Sequence, residues 1–455
     1  MATSDTRLLQ IVHFADMIKW SAHGSAFGNE KSKFPLVPLS IVLRRIKEPI
    51  TIEDGVLYKR ITIRNNGRGV VQRDELLGSE IGTKRQFVAH AGQFIISRID
   101  ARNGAFGIVP EELEGAVVTN DFWLFEVQNA LPEYLMLVLS SKRFQQYWQA
   151  QSSGTTNRQR VSESDFLHSR IALSNIDIQK KLIEGYTNKT RVACSFDAQA
   201  QKILDDLNDY LFEELGIKEQ CKNADMQLIN YTSFSRLYQW GVDKHNIAFP
   251  YMFTKYSPFS FANKPTWVNA LLRGKSPRYS SNATCIVLNQ KCNRVDSIDL
   301  TFAKKVAADW LDQIDKDHLT KENDILINST GEGTIGRASL VRKEFAGLAY
   351  DSHMLLLRVN ATELDAQLVV DLLNSPFGRK QVELYKSAQA TKQTELGIEN
   401  AKRFLFPMPD ISEQKRISAQ VNEMKKESTR LRDDAKSLRQ QASNEFEASV
   451  FSAEY

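Results

Sequence analysis

The feature that most restricts how this chain can fold is a long apolar stripe that occurs twice. Displaced by 235 residues, the stretch Leu182–Leu207 lands on Ile417–Ala442. The first copy sets Leu182, Tyr186, Lys189, Ala193, Phe196, Ala200, Ile203 and Leu207 at alternating spacings of four and three. The second sets Ile417, Val421, Met424, Ser428, Leu431, Ala435, Leu438 and Ala442 in the same register. Residues seven apart return to one face of a slightly under-wound helix, so this is the pattern of a coiled-coil seam. One row of the seam is large and the other is rich in Ala and Ser, which lets two helix backbones approach closely. The spacing predicts two long helices, opening near Ile176 and Ile411, that bury their stripes against each other. Asp177 and Ser412 are read as N-caps, because a short side-chain oxygen can accept an orphan N–H of the first turn.

The duplication extends well beyond the helices. Phe14, Met17, Ile18 and Trp20 are echoed by Phe234, Leu237, Tyr238 and Trp240. Phe94–Ser97 answers to Ile325–Asn328, and each run leads into a polar, Gly-bearing turn and a further strand, Ile108–Val109 or Ala338–Val341. Phe122–Val127 and Met354–Val359 match as buried strands, and Tyr134–Ser141 and Leu368–Ser375 as short amphipathic helices. Val56–Ile63 and Cys285–Leu288 read as strands from their β-branched and aromatic residues. Both copies then carry a polar loop, Ser152–Arg160 or Ser387–Thr394, before the long helix. The chain is therefore read as a duplicated unit: a mixed α/β module of roughly 160–180 residues followed by a helix of about 40. At 1.5 Å per residue such a helix is roughly 60 Å long, enough to hold two modules apart.

With 455 residues the chain is too long for one core. No run of about 18 apolar residues is present, so a membrane span is not expected. The N-terminal residues lack a secretory signal pattern, and four scattered cysteines, Cys194, Cys221, Cys285 and Cys292, fit a reducing cytoplasm better than a disulfide framework or zinc site. The net charge is only +4, but Phe253–Arg294 holds seven Lys/Arg and no acid, and Lys31–Arg73 holds ten Lys/Arg against three acids. Basic non-helical modules joined by mixed-charge helices suit a nucleic-acid binder.

Several motifs suggest chemistry and fail on context. Gly331, Gly333 and Gly336 match a dinucleotide fingerprint, but that motif needs a helix directly after it, and Ala338–Val341 reads as a strand. Pro409 and Asp410 followed by Glu413 and Lys415 imitate a nuclease pattern whose acids should lie on neighbouring strands, whereas these fall at a helix start. No amino-methyltransferase tetrapeptide, phosphate loop or metal-binding histidine pair is found, so the chain is expected to be non-catalytic and to hold no cofactor or metal. The polar loops are the better candidates, since Arg can read guanine and Asn or Gln adenine. In the first module these are Lys59, Arg60, Arg64, Arg98, Arg102, Asn157, Arg158, Gln159 and Arg160. In the second they are Asn328, Thr330, Lys392 and Gln393, with Lys275, Arg278 and Tyr279 as phosphate-holding candidates.

This order of features resembles the specificity (S) subunits of type I restriction-modification systems. The resemblance rests on the Phe…Trp opener, the strand and Gly-rich turn, the Leu-Asn-Ser helix end, the polar loop, and the entry Phe406–Gln414 into the long helix. The first copy departs from it at Ala172–Asn175, which lacks the Pro-x-Pro entry. What the resemblance implies is two target recognition domains at residues 1–175 and 219–410. Two antiparallel coiled-coil helices, at 176–218 and 411–455, would separate them as a spacer. Each domain would read one half of an asymmetric split DNA site, with half-sites about 34–36 Å apart if equivalent grooves are met. The helices would dock two modification subunits that carry S-adenosylmethionine, and restriction subunits would join that core. Two alternatives accompany this reading: a specificity subunit of another methylation-linked phage-defence system, and a coiled-coil scaffold that assembles proteins without DNA.

Overall fold

The computed structural model describes residues 32–65, 69–99, 104–151, 162–220, 249–388 and 394–451. The Phe14–Trp20 and Phe234–Trp240 openers lie outside the described residues. The chain divides into two compact units, Met1–Asp197 with Arg432–Tyr455, and Ala198–Leu431. The division cuts both long helices, Ile176–Leu215 and Ile411–Val450, so each unit comprises one module and a half of each helix.

In the first unit the central sheet has four antiparallel strands in the order Leu43–Ile46, Phe122–Val127, Phe94–Ser97, Phe106–Ile108. In the second unit the order repeats as Val268–Arg273, Met354–Val359, Ile325–Asn328, Ala338–Leu340. The inner strands are continuous apolar runs because both faces are covered: Phe94–Ser97 and Ile325–Asn328 are buried at every position. A second sheet accompanies each, and here the copies part. The first unit has five strands, in the order Pro49–Thr51, Arg85–Ala89, Ala116–Val118, Leu57–Ile63, Val70–Leu77. The second has three, Lys304–Val306, Cys285–Leu288 and Ala349–Tyr350.

Each central sheet is backed by a helix pair, Pro132–Ser140 with Lys142–Gln151, and Ala366–Asn374 with Pro376–Tyr385. The second helix of each pair went unread in the sequence. It starts at a serine that recurs: Ser141 Oγ accepts the Phe144 N–H at 3.2 Å, and Ser375 Oγ accepts that of Gly378 at 3.4 Å.

Every seam residue is buried or half-buried, and the stripe runs on into Leu211, Leu215, Phe446 and Val450. Within the second unit Leu207, Leu211, Leu215, Ile417 and Val421 join the module's own core. Within the first, Leu182, Tyr186, Phe446 and Val450 do the same. The helix segments run antiparallel in both units. Lys189 pairs with Glu445 and Asp197 with Arg439 (2.5 Å) in the first, and Glu214 pairs with Arg416 (2.5 Å) in the second. The small row does what its size allows: Ser428 Oγ donates to the Ala200 carbonyl of the facing helix at 2.9 Å.

The helix caps differ from expectation by two residues. Asn175 Oδ1 accepts the Ile178 N–H at 2.9 Å, and Asp410 Oδ1 accepts those of Ser412 (3.0 Å) and Glu413 (3.1 Å). Asp177 and Ser412 are thus in the first turn, two residues inside the cap, and the Ser412 hydroxyl itself donates to Asp410. The glutamine one turn further in ties helix to module in both copies. Buried Gln179 accepts the Leu131 N–H (2.8 Å) and donates to the Ser174 carbonyl (2.8 Å). Buried Gln414 accepts the Asp365 N–H (2.9 Å) and donates to the carbonyls of Glu363 (2.9 Å) and Pro409 (2.8 Å).

The glycine motif is a turn between paired strands, as its context requires. Gly331, Gly333 and Gly336 all have positive φ, and Ile325–Ile327 pairs antiparallel with Ala338–Leu340. A Cβ on Gly336 would stand 2.2 Å from Val382 Cγ2, and its φ of +76° is strained for any other residue. Gly336→Ala is expected to destabilise the protein by about 1–3 kcal/mol, measured by denaturant unfolding. An unchanged midpoint would mean that Val382 gives way freely.

Candidate nucleic-acid interface

Loops at one end of the second unit's central sheet bring several polar side chains together. Arg273, the last residue of its strand, forms an ion pair with Glu395 and donates from Nε to the Ser352 carbonyl at 3.0 Å. Glu395 belongs to the short hairpin Ser387–Ala388 with Thr394–Glu395, and it also bridges Thr330 on the glycine turn. The Lys275 backbone pairs as an isolated β-bridge with that of Asp351, in the turn that leads to Met354. Thus the glycine turn, the hairpin base, the loop after Arg273 and the turn before Met354 converge, although they are far apart in sequence.

The electrostatics of this end favour an anion. Lys275 is exposed. Tyr279 is half exposed, with the Lys304 ammonium 4.6 Å from its ring centroid. Arg278 pairs with Asp309, but both side chains are about 60% exposed. An ion pair so solvated contributes at most about 1 kcal/mol, so a phosphate could take the aspartate's place. Burial pushes the Asp351 carboxyl up, opposed by a hydrogen bond from the His353 N–H and by the Lys304 ammonium.

Asn328 is corrected by the structure. It is fully buried, its Oδ1 accepts from Asn293 Nδ2 at 3.0 Å, and its Nδ2 donates to the Gln290 carbonyl at 3.1 Å. Both ends of the amide are engaged inside the fold, so Asn328 joins the strand to the Gln290 loop and cannot face a base edge. Thr330 stays at the surface end of the turn, half-buried, bonded to Gln290 and His353.

In the first unit the candidates occupy two different sheets. Arg98 is half-buried with its guanidinium 5.4 Å from the Trp123 ring centroid, and its Nε has no hydrogen-bond partner among the described residues. It lies near enough to Arg45 to help lower that residue's pKa, a shift due first to burial and opposed by Glu163. Arg45 is paired with Glu163 (3.4 Å), and the two guanidinium groups lie over the rings of Phe125 and Trp123. Lys59, Arg60 and Arg64 sit instead on the hairpin Leu57–Ile63 with Val70–Leu77 of the second sheet. Arg60 is committed there, since its fork bonds both oxygens of Asp74 at 2.7 Å. Lys59 donates to the Glu112 carbonyl at 3.1 Å, and Arg64 is exposed where the hairpin turns. Arg102, Asn157, Arg158, Gln159, Arg160, Lys392 and Gln393 lie outside the described residues. Sequence reasoning missed Arg273, Gln290, Lys304 and His353, because nothing local separates them from ordinary surface residues.

No family model matches the chain, and no curated protein does. Solved structures do. A protein from work on complex assembly and conformational transition of the type I restriction-modification system is 14% identical, with a TM-score of 0.52. The match covers 92% of this chain and 97% of that one. This chain shares its fold with that type I restriction-modification protein. The HsdS subunit from Thermoanaerobacter tengcongensis is 13% identical over 91% of this chain and 96% of that chain, with a TM-score of 0.40. The type I S subunit from M. genitalium is 12% identical over 94% and 98%, with a TM-score of 0.43. The type I fold extends over nearly the whole chain, as the resemblance in sequence led one to expect. Among the described residues no helix is long and apolar enough to cross a membrane, and no group of His, Cys, Asp and Glu could hold a metal ion.

Proposed function

We propose that this chain is the DNA-specificity subunit of a type I restriction-modification complex in the cytoplasm, serving phage defence. Each module reads one half of a split, asymmetric DNA site, and the paired helices fix the gap. The outer helix faces dock two modification subunits, which carry S-adenosylmethionine and methylate adenine, and restriction subunits complete the complex. The chain itself carries out no catalytic step.

The observation that carries this reading is a repeated frame with unequal additions. The four-stranded sheet, the helix pair, the glutamine joint and the half-seam are the same in both units, whereas the second sheet has five strands in one and three in the other. A repeated frame offers equivalent surfaces to two copies of one partner. Unlike additions suit two unlike half-sites. The shared type I fold supports the same assignment.

The deciding experiment maps methylated adenines in cells with and without this gene. A split motif should vanish with the deletion and return with the gene supplied in trans. Methylation that persists after deletion, with the partner genes expressed, would sink the proposal.

A further inference from the structure

The turn Asp351–His353 is held with unusual completeness for a surface feature. Asp351, 3% exposed, accepts the His353 N–H at 3.0 Å, and Arg273 Nε holds the Ser352 carbonyl from the other side. Underneath lies Gly274, where a Cβ would come 2.0 Å from the Asp351 carbonyl oxygen. The exposed imidazole of His353 therefore projects from a backbone that cannot drift.

The ring's hydrogen is placed as well. Thr330 Oγ1 lies 3.2 Å from Gln290 Oε1, an atom that can only accept, so the threonine hydroxyl hydrogen points there. His353 Nδ1 lies 2.9 Å from the same Thr330 oxygen, which has only lone pairs left to offer. Nδ1 must then carry the hydrogen, and in the neutral ring Nε2 is a bare acceptor. Among the described residues no hydrogen bond to Nε2 is formed. A rigid, exposed acceptor in a turn whose Asp351 feels the Lys304 charge and pairs with the Lys275 backbone is suited to a donor on a base edge. In the major groove only the amino groups of adenine and cytosine donate.

We infer that His353 Nε2 reads the exocyclic amino group of an adenine or cytosine in the half-site of the second module, with Thr330 and Gln290 as positioning residues that fix its tautomer. This rests on the specificity-subunit reading and adds to it a residue and a base class. The test uses the full chain assembled with its partner subunits, and DNA libraries carrying all four bases at each position of both half-sites. At one position of the second half-site, the wild type should prefer an amino-bearing base. His353→Lys, which can only donate, should lower the preference for the amino-bearing base over guanine or thymine by about tenfold or more. His353→Ala should abolish discrimination at that position alone, and it decides the matter if the lysine variant does not assemble. Gln290→Leu, which removes the acceptor that orients the Thr330 hydroxyl, should weaken the same preference and leave the first half-site's preferences as they are. Replacing the wild-type base by its analogue without the amino group should weaken binding by the wild type and not by His353→Ala. The first half-site's preferences serve as the internal control for assembly. Unchanged preferences throughout the second half-site in both His353 variants would overturn the inference while leaving the specificity reading intact. A wild-type complex whose methylation ignores this chain would instead overturn the reading beneath it.

Discussion

Removal of one heptad from each long helix, Ala198–Leu204 with Thr429–Ala435, is expected to shorten the gap of the methylated site by about three base pairs and to leave both half-sites unaltered. Seven residues of helix span about 10 Å, and stacked base pairs rise about 3.4 Å each. The deletions are matched because the ladders set the register, with Asp197 facing Arg439 in one unit and Ala200 facing Ser428 in the other. A seven-residue excision preserves the large-small alternation, so the seam closes again on itself. Sequencing of methylated adenines in cells that carry the shortened chain reads the outcome directly. An unchanged gap would refute the idea that helix length sets it. Loss of either half-site with the gap intact would show that the excision had harmed a module instead.

Substitution of Lys425 by Met carries the largest expected cost in stability. Its ammonium, on the second long helix, bonds Asp371 and, at 2.5 Å, Asp296 of the second module. Gln367 Nε2 braces both carboxylates, at 3.0 and 2.9 Å. Burial works against the charge on Lys425, but the two carboxylates outweigh it and hold its pKa up. Burial pushes Asp371 up to about 6, with Lys425 pulling the other way. Without the lysine an aspartate with a 1% exposed side chain would lose the cation that bonds it. Breaking a buried pair on one side costs about 3–5 kcal/mol, whereas removing both partners is far milder. Lys425→Met should thus destabilise the second unit strongly, and Lys425→Met with Asp371→Leu should regain most of the loss. The pH dependence has a definite sign. A carboxyl whose folded pKa lies above its unfolded value favours folding when protonated, and that contribution is lost as pH rises through the folded value. The single variant's deficit should therefore widen between pH 5 and 8. A flat deficit, or none, in urea unfolding would show that the clamp is not electrostatic.

Much of the frame was legible because buried strands announce themselves. Phe94–Ser97, Ile325–Asn328, Phe122–Val127 and Met354–Val359 have the bounds that their mainly apolar runs indicate. The seam was legible for the same reason, since its period cannot be met by chance over eight positions. Errors came where polar residues have local competitors. Asp177 and Ser412 resemble caps, yet Asn175 and Asp410 stand two residues earlier and take the first unpaired N–H groups of each helix. Asn328 looked like a loop residue because it ends an apolar run, but its amide is enclosed by Asn293 and the Gln290 loop. The Lys425 clamp left no local trace, because its partners lie 54 and 129 positions away. His353 is equally silent in sequence. Its character comes from a hydroxyl on one turn and an amide on another, which only the fold brings into line.

The paired glutamines also bear on inheritance. Gln179 and Gln414 join helix to module through the same backbone groups, an N–H at the start of the short helix and a carbonyl just before the long one. A genetic exchange that cuts at this joint would deliver an incoming module to a socket that already fits it. New pairings of module and frame could then arise in one recombination event, with no intermediate that must refold a core. Lineages would acquire whole modules by shuffling, and point mutation would be left to refine them.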